Sequence, residues 1–252
     1  MTINHFRLLC VSLVWGLLGS ILVCDRGFAE APIKIAQIVA VDDLVAEAQA
    51  KSVQLSKHLV SREAYAETKK DDLAQAAGTL ACMAQAISEH PDAKDVKVAG
   101  PALRDAALIL RNPKSFEDAK VAEKALNAAL KGQGEGKTEF SWAKLMAREA
   151  MMEEINSRNS KLRRVIRRSR KPSVDSLHAS TMAVLSVAMY ADAHGHDQDK
   201  ASLAEWREIS KESVGIMASI AGAIKKKDAA GAKRLYVRAV KTCTDCHKKF
   251  RD

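Results

Sequence analysis

The five prolines of this chain fall at 32, 91, 101, 113 and 172, and between them the apolar residues recur every three or four positions. Proline inside a helix removes a backbone hydrogen bond and clashes with the preceding turn, so this placement leaves long stretches free to coil. β-Branched and aromatic residues never gather into short alternating runs, and the apolar share leans on Ala, Leu, Val and Met. The fold class is therefore all-α. The periodicity predicts helices over 38–59, 62–89, 101–112 and 116–131, then a glycine-spaced stretch, KGQGEGKTE, then helices over 140–169, 174–193, 200–226 and 228–250. Four helices, a linker and four helices imply an internal repeat of about 110 residues. A shift of that size pairs Asp118 with Asp228, Ala119 with Ala229, Ala122 with Ala232, Ala129 with Ala239 and Lys131 with Lys241. Alanine-rich amphipathic helices also resemble one another by composition, so two helices of equal period are the alternative to a duplication.

The first 29 residues stand outside the fold argument. MTINHFR gives a basic start, Leu8 to Val23 is a largely apolar run of 16, and Gly27-Phe28-Ala29 offers small residues for cleavage. This pattern reads as a secretory signal cut after Ala29, hence a periplasmic or otherwise exported protein. An uncleaved anchor is the alternative, although the run falls short of the roughly 20 residues that cross a bilayer. A lipoprotein site at Cys24 is poorly served by Val23 just before it. After cleavage three cysteines remain, Cys82, Cys243 and Cys246, too few for a disulfide framework. Cys82, within LACMAQAI, reads as a small buried hydrophobe.

Charge divides unevenly. Residues 30–136 carry 14 basic and 16 acidic side chains, a net of −2, whereas residues 137–252 carry 24 and 14, a net of +10. An electrostatic partner would meet the second half, where KLRRVIRRSRK (161–171) packs seven cations into eleven residues.

One motif carries chemistry: Cys243-Thr244-Asp245-Cys246-His247. C-x-x-C-H arises by chance on the order of a few times per thousand chains of this length, and export is where c-type haem is attached. A thioredoxin-like redox pair would want a βαβ setting, and half a zinc site would want a second ligand pair, neither of which the sequence offers. On a helix, Ala229, Ala232, Leu235, Tyr236, Ala239, Val240, Cys243, Cys246, His247 and Phe250 step by three or four and form one inward stripe. Two thiols about a turn apart suit the two vinyl groups of one haem, with His247 as proximal iron ligand.

The ending Cys243-x-x-Cys246-His247-x-x-Phe250-Arg251, at the close of an all-helical segment, resembles the cytochrome c-prime family, the class II c-type cytochromes. The resemblance covers 140–252 and is specific over 243–251. It implies an antiparallel four-helix bundle over 137–252 with one covalent haem c per chain. The repeat then makes 30–136 a second, haem-less bundle, because Gln133, Gly136 and Lys137 stand where the cysteines and histidine would be. The family's first helix carries an arginine followed four residues later by a methionine or other apolar residue facing the iron; Arg148 and Met152 fit that pattern. Leu145, Arg148, Met152, Ile155, Leu162 and Ile166 share one face of the helical wheel. Arg148 either pairs with a haem propionate or snorkels at the bundle edge, and Met152 either ligates iron opposite His247 or only crowds its distal face.

The expected function is one-electron transfer by an exported monohaem cytochrome, not an enzyme, with redox proteins bearing acidic docking surfaces as partners and no nucleic acid. The alternative is a five-coordinate haem protein that binds or senses small gases such as NO or CO. The resemblance also implies a homodimer through the first two bundle helices, unless the first half occupies that surface. Among weaker candidates, His194 and His196 read as a solvated loop rather than a metal site, and His178 as partly exposed rather than near the haem. His58 and His90 fall near helix ends, and Met182, Met189 and Met217 read as core filling.

Overall fold

The computed structural model describes residues 33–68, 70–138, 140–193 and 199–251, and among these every regular element is helical. Residues 1–29, expected to form a secretory signal, and His194 and His196 lie outside the described residues. The helices are α1 (Val41–His58), α2 (Arg62–Glu67), α3 (Lys70–Glu89), α4 (Gly100–Arg111), α5 (Phe116–Ala129), α6 (Arg148–Arg167), α7 (Pro172–Asp175), α8 (Leu177–Ala191), α9 (Lys200–Lys225) and α10 (Ala229–Phe250). Side-chain oxygens begin them where the sequence offers caps: Ser61 accepts from the Ala64 amide, Ser115 from Asp118, Asp199 from Ala201 and Asp228 from Gly231. Pro101 and Pro172 lie in first turns, where the missing amide proton costs nothing.

Helix contacts close two rings. In the first, α1 packs on α3, α3 on α4, α4 on α5, and α5 back on α1; in the second, α6 packs on α8, α8 on α9, α9 on α10, and α10 back on α6. The rings share a wall, because α3 packs on both α6 and α8, and α1 on α8. One hydrophobic core runs from Leu44, Leu80 and Leu103 through Val184 and Val187 to Trp206 and Cys246. A smaller cluster around Leu162, Met217 and Ile220 fills the rest of the second ring.

Several boundaries differ from the periodicity. The helix predicted over 62–89 breaks at Thr68, whose extended backbone is held by its hydroxyl donating to the Ala64 carbonyl at 2.7 Å. The predicted 174–193 helix is split by Ser176 into α7 and α8. The helix predicted from 140 starts at Arg148, so Leu145 is not on it. Lys137 and residues 140–147 instead lie back along the first ring. The Lys137 amide donates to Asp105 at 2.9 Å, the fully buried Arg104 places its guanidinium 4.8 Å from the Phe140 ring centroid, and the Trp142 indole donates to Glu89 at 2.8 Å. The glycine-spaced stretch is therefore docked rather than free. Gly132, at φ +78°, ends α5, and Gly136 lies so close to Pro101 that an added Cβ would overlap its carbonyl. Gly136→Ala should therefore destabilise the fold by about 1–3 kcal/mol as the docked segment shifts, read as a lower melting temperature by circular dichroism.

The repeat is less regular than a fixed shift implies. α5 has 14 residues where α10 has 22, and it stops at Ala129. Positions 133, 136 and 137 are not helical, so the first ring lacks the turns that would carry a motif like that of α10.

The buried face of α6 is also rotated from the predicted stripe. Met151, Glu154, Arg158 and Leu162 are buried, while Arg148 is exposed and Met152 and Ile155 are half-buried. Two of these buried residues are charged because α1 supplies their counterions. Arg158 grips Glu47 and donates from Nε to Glu154 at 2.7 Å, Lys51 lies 2.8 Å from Glu154, and Gln75 of α3 donates to the other Glu154 oxygen at 2.8 Å. None of the four charged side chains is more than 8% exposed. Arg158 also donates to Nδ1 of His178 at 3.3 Å, so His178 belongs to this wall.

Candidate functional site

The motif occupies the last two turns of α10. Thr242 and Thr244 flank Cys243 and return their hydroxyls to the carbonyls four residues earlier, at 3.2 and 2.9 Å. The helix is fastened to α9 by Arg238 to Glu212 at 2.8 Å, by the Lys249–Glu205 pair, and by Phe250, whose ring meets Trp206 edge to face at 5.3 Å. The Trp206 indole is fixed in turn by donating to the Met189 carbonyl at 2.8 Å. Toward α6, the Tyr236 hydroxyl donates to Asn159 at 2.8 Å. The motif therefore sits on a braced scaffold.

Two cavities meet at this end of the second ring. One, of about 140 Å³, is lined by Met152, Met182, Met189, Met217, Cys243, Cys246 and His247, with Ser186 and Ser213 among its polar groups. The other, of about 520 Å³, opens beside it and is lined by Arg148, Met152, Trp206, Cys246, His247 and Phe250. Met152, Asn156, Cys246 and His247 line both. Every site residue singled out in the sequence lines at least one of the two.

The α10 stripe itself needs correction. Cys246 is buried and Cys243 half-buried, but Ala229, Val240 and His247 are exposed, while Thr242, off the predicted stripe, is buried. Antiparallel packing against α6 and α9 explains this, because each covers a strip on one side of the predicted line. Arg148 is exposed at the cavity rim, where it lies 3.3 Å from Glu149. His178 is taken by Arg158; His58 ends α1 and His90 caps a short turn while its Nε2 lies 3.2 Å from the Val39 carbonyl. Cys82 is fully buried, and burial pushes its thiol up to about 12, as for an inert core residue.

The thiol electrostatics bear on the competing chemistries. Burial raises the Cys243 thiol, and burial together with neighbouring Cys243 raises Cys246 to about 11. Dithiol exchange works through a thiolate stabilised below its ordinary value, and this site does the reverse. Among the described residues, no group of three or more His, Cys, Asp or Glu is placed to hold a metal ion. Both cysteines are unpaired, so each thiol is available for a covalent bond.

Three lining methionines were read in sequence as core filling. Met182, Ser186 and Met189 step along one face of α8, and Ile209, Ser213 and Met217 along one face of α9, with the two serine hydroxyls 3.0 Å apart. That spacing was present in the sequence, but its convergence on α10 depends on the ring of helix contacts. No family model, curated protein or solved structure matches the chain.

Proposed function

We propose that the chain is a c-type cytochrome made of two antiparallel four-helix bundles in tandem, the second holding one covalent haem c and transferring single electrons. The observation that carries this reading is the convergence of Cys246, His247 and Met152 on the wall shared by the two cavities, with Cys243 on the same side of α10. The donor set fits the group: two neutral thiols about a turn apart for its two vinyl positions, an imidazole on the next residue, and a thioether from a facing helix. The cavity volumes, taken together, lie within the ~300–1,000 Å³ of cofactor sites. Bound there, haem c supplies reversible one-electron chemistry at iron.

The chain's own residues divide the work. Cys243 and Cys246 would hold the group to α10 as thioethers, and His247 would offer its imidazole to the iron. Met182, Met189 and Met217 exclude water from one side while tolerating a flat, irregular occupant. Arg148, at the open rim, offers its guanidinium to a propionate. The first bundle, seated on α6 and α8, takes the position a second subunit would use for dimerisation. Export with cleavage near Ala29 belongs to the same reading, and among the described residues no helix is long and apolar enough to cross a membrane. The net charge of +10 over 137–252 favours redox partners with acidic docking surfaces.

Met152 decides between electron carrier and gas binder. Met152 would offer its thioether to the iron that His247 would hold, which would favour a low-spin state of raised potential. Met152→Ala should then convert a low-spin ferric spectrum to high-spin. A high-spin wild type that is unchanged by Met152→Ala and Met151→Ala, and that binds carbon monoxide readily when reduced, would replace electron transfer with gas binding.

A further inference from the structure

The densest cation run does not border the site described above. It lies at the opposite end of α6: Arg167 follows Met152 by 15 residues, about 22 Å along the helix axis. There it meets the α9–α10 junction, where Lys225, Lys226 and Lys227 are exposed. A third cavity, of about 420 Å³, opens between the two segments. Its floor is apolar, formed by Val165, Ile166 and Ile224, and its walls carry four cations, Arg167, Arg168, Arg170 and Lys227, against one carboxylate, Asp228. Val174, on the adjoining α7, is 55% exposed.

The nearby acids do not neutralise this end. Asp175 accepts from the Arg170 and Lys171 amides, both at 2.9 Å, and from the Ser169 hydroxyl at 2.8 Å, so it folds the turn that displays the cations. Asp228 accepts from the Gly231 amide as the cap of α10. Asp43 takes Lys225 at 2.6 Å. Among the described residues, the side chains of Arg163, Arg164, Arg167, Arg168, Arg170 and Lys171 have no carboxylate within ion-pair distance. Lys227 occupies the left-handed region at φ +58°, where glycine is favoured, and lines the cavity from the α9–α10 junction.

We propose that this end of the second bundle docks on an anionic lipid bilayer. A ring of cations around an apolar floor, with an exposed valine beside it, matches a surface that offers phosphate oxygens over hydrocarbon. An acidic protein face would satisfy the cations and leave Val174 and the floor without a counterpart. Docked this way, the chain keeps its cysteine motif on the side away from the lipid, open to a soluble partner. The inference does not depend on haem.

The test is co-sedimentation of the full chain with phosphatidylcholine vesicles, with and without phosphatidylglycerol. Each cation near an anionic surface is worth about fivefold in partitioning. Binding is expected only to the anionic vesicles and weakens as salt rises. The triple reversal Arg167→Glu, Arg168→Glu, Arg170→Glu should cut it by at least about 100-fold, and Val174→Asp severalfold, with helical circular dichroism retained. An equal reversal of net charge on the first bundle, Lys114→Glu, Lys124→Glu, Lys131→Glu, should leave it intact. Equal binding to neutral vesicles, equal loss in the two triple variants, or no response to Val174→Asp together with full competition by polyglutamate would overturn the proposal, the last result pointing to an acidic protein instead.

Discussion

The double variant Cys243→Ala, Cys246→Ala is expected to carry no covalent haem, and the wild type to carry one group per chain. Both thiols lie on the cavity side of α10, neither is in a disulfide, and the only other cysteine among the described residues, Cys82, is fully buried in the first ring. Loss should therefore be complete, with no secondary attachment point. A single replacement, Cys243→Ala or Cys246→Ala, should leave one thioether and a chain that still stains. Haem peroxidase staining after denaturing electrophoresis, with intact mass, measures this directly: the wild type exceeds its polypeptide mass by one haem and the double variant by none. Two haems on the wild type, or one on the double variant, would overturn the site.

Arg158→Leu is expected to be the most destabilising single replacement on the wall between the two rings. It removes the cation shared by Glu47 and Glu154 while both stay buried, and breaking such a pair from one side costs about 3–5 kcal/mol. For a chain of this size that corresponds to a melting point lower by on the order of 10 °C. Replacing Glu47, Lys51, Glu154 and Arg158 together with apolar residues of similar volume should cost far less, because no stranded charge remains. A shift under about 2 °C in Arg158→Leu would show that the ion pairs do not form.

Acid should weaken this wall in two steps. Burial opposes ionisation of Glu154, but Lys51 and Arg158 outweigh it and hold the carboxyl down at about 2. His178 is lowered to about 4 by burial, Arg158 and Lys161, so its ring stays neutral and accepts from Arg158. In both cases the unfolded chain binds the proton more readily than the folded one, so stability rises with pH across the gap. The His178 contribution is complete above about pH 6.5 and fades toward 4; that of Glu154 is complete above about 4.5 and fades toward 2. Thermal melts of the wild type and Glu154→Gln between pH 7 and 3 measure this, the variant being flatter below pH 4.5.

The sequence made the helices legible because proline position and apolar period are local signals. The motif was legible because five consecutive residues carry it, and Arg148 and Met152, the residues expected to face it, line the larger cavity beside it. The register of α6 was not. Glu154 and Arg158 fall off the predicted stripe, and only contact with Glu47 and Lys51, about a hundred positions earlier, makes their burial tolerable. The methionines of α8 and α9 are core residues, as their spacing predicts, but Met182, Met189 and Met217 also line the smaller cavity, which spacing alone does not distinguish. The fixed repeat failed at α5, where Gly132 ends the helix before the extra turns that α10 possesses.

The shared wall has a further consequence for how the two halves stay together. Their contact is built like that of a permanent dimer, with a common apolar core and buried charges divided between the sides, yet the partners are one chain joined by a docked segment. Tethering turns association into an intramolecular event at an effective concentration in the millimolar range for short connections. Dilution, which would separate two independent subunits, cannot separate these.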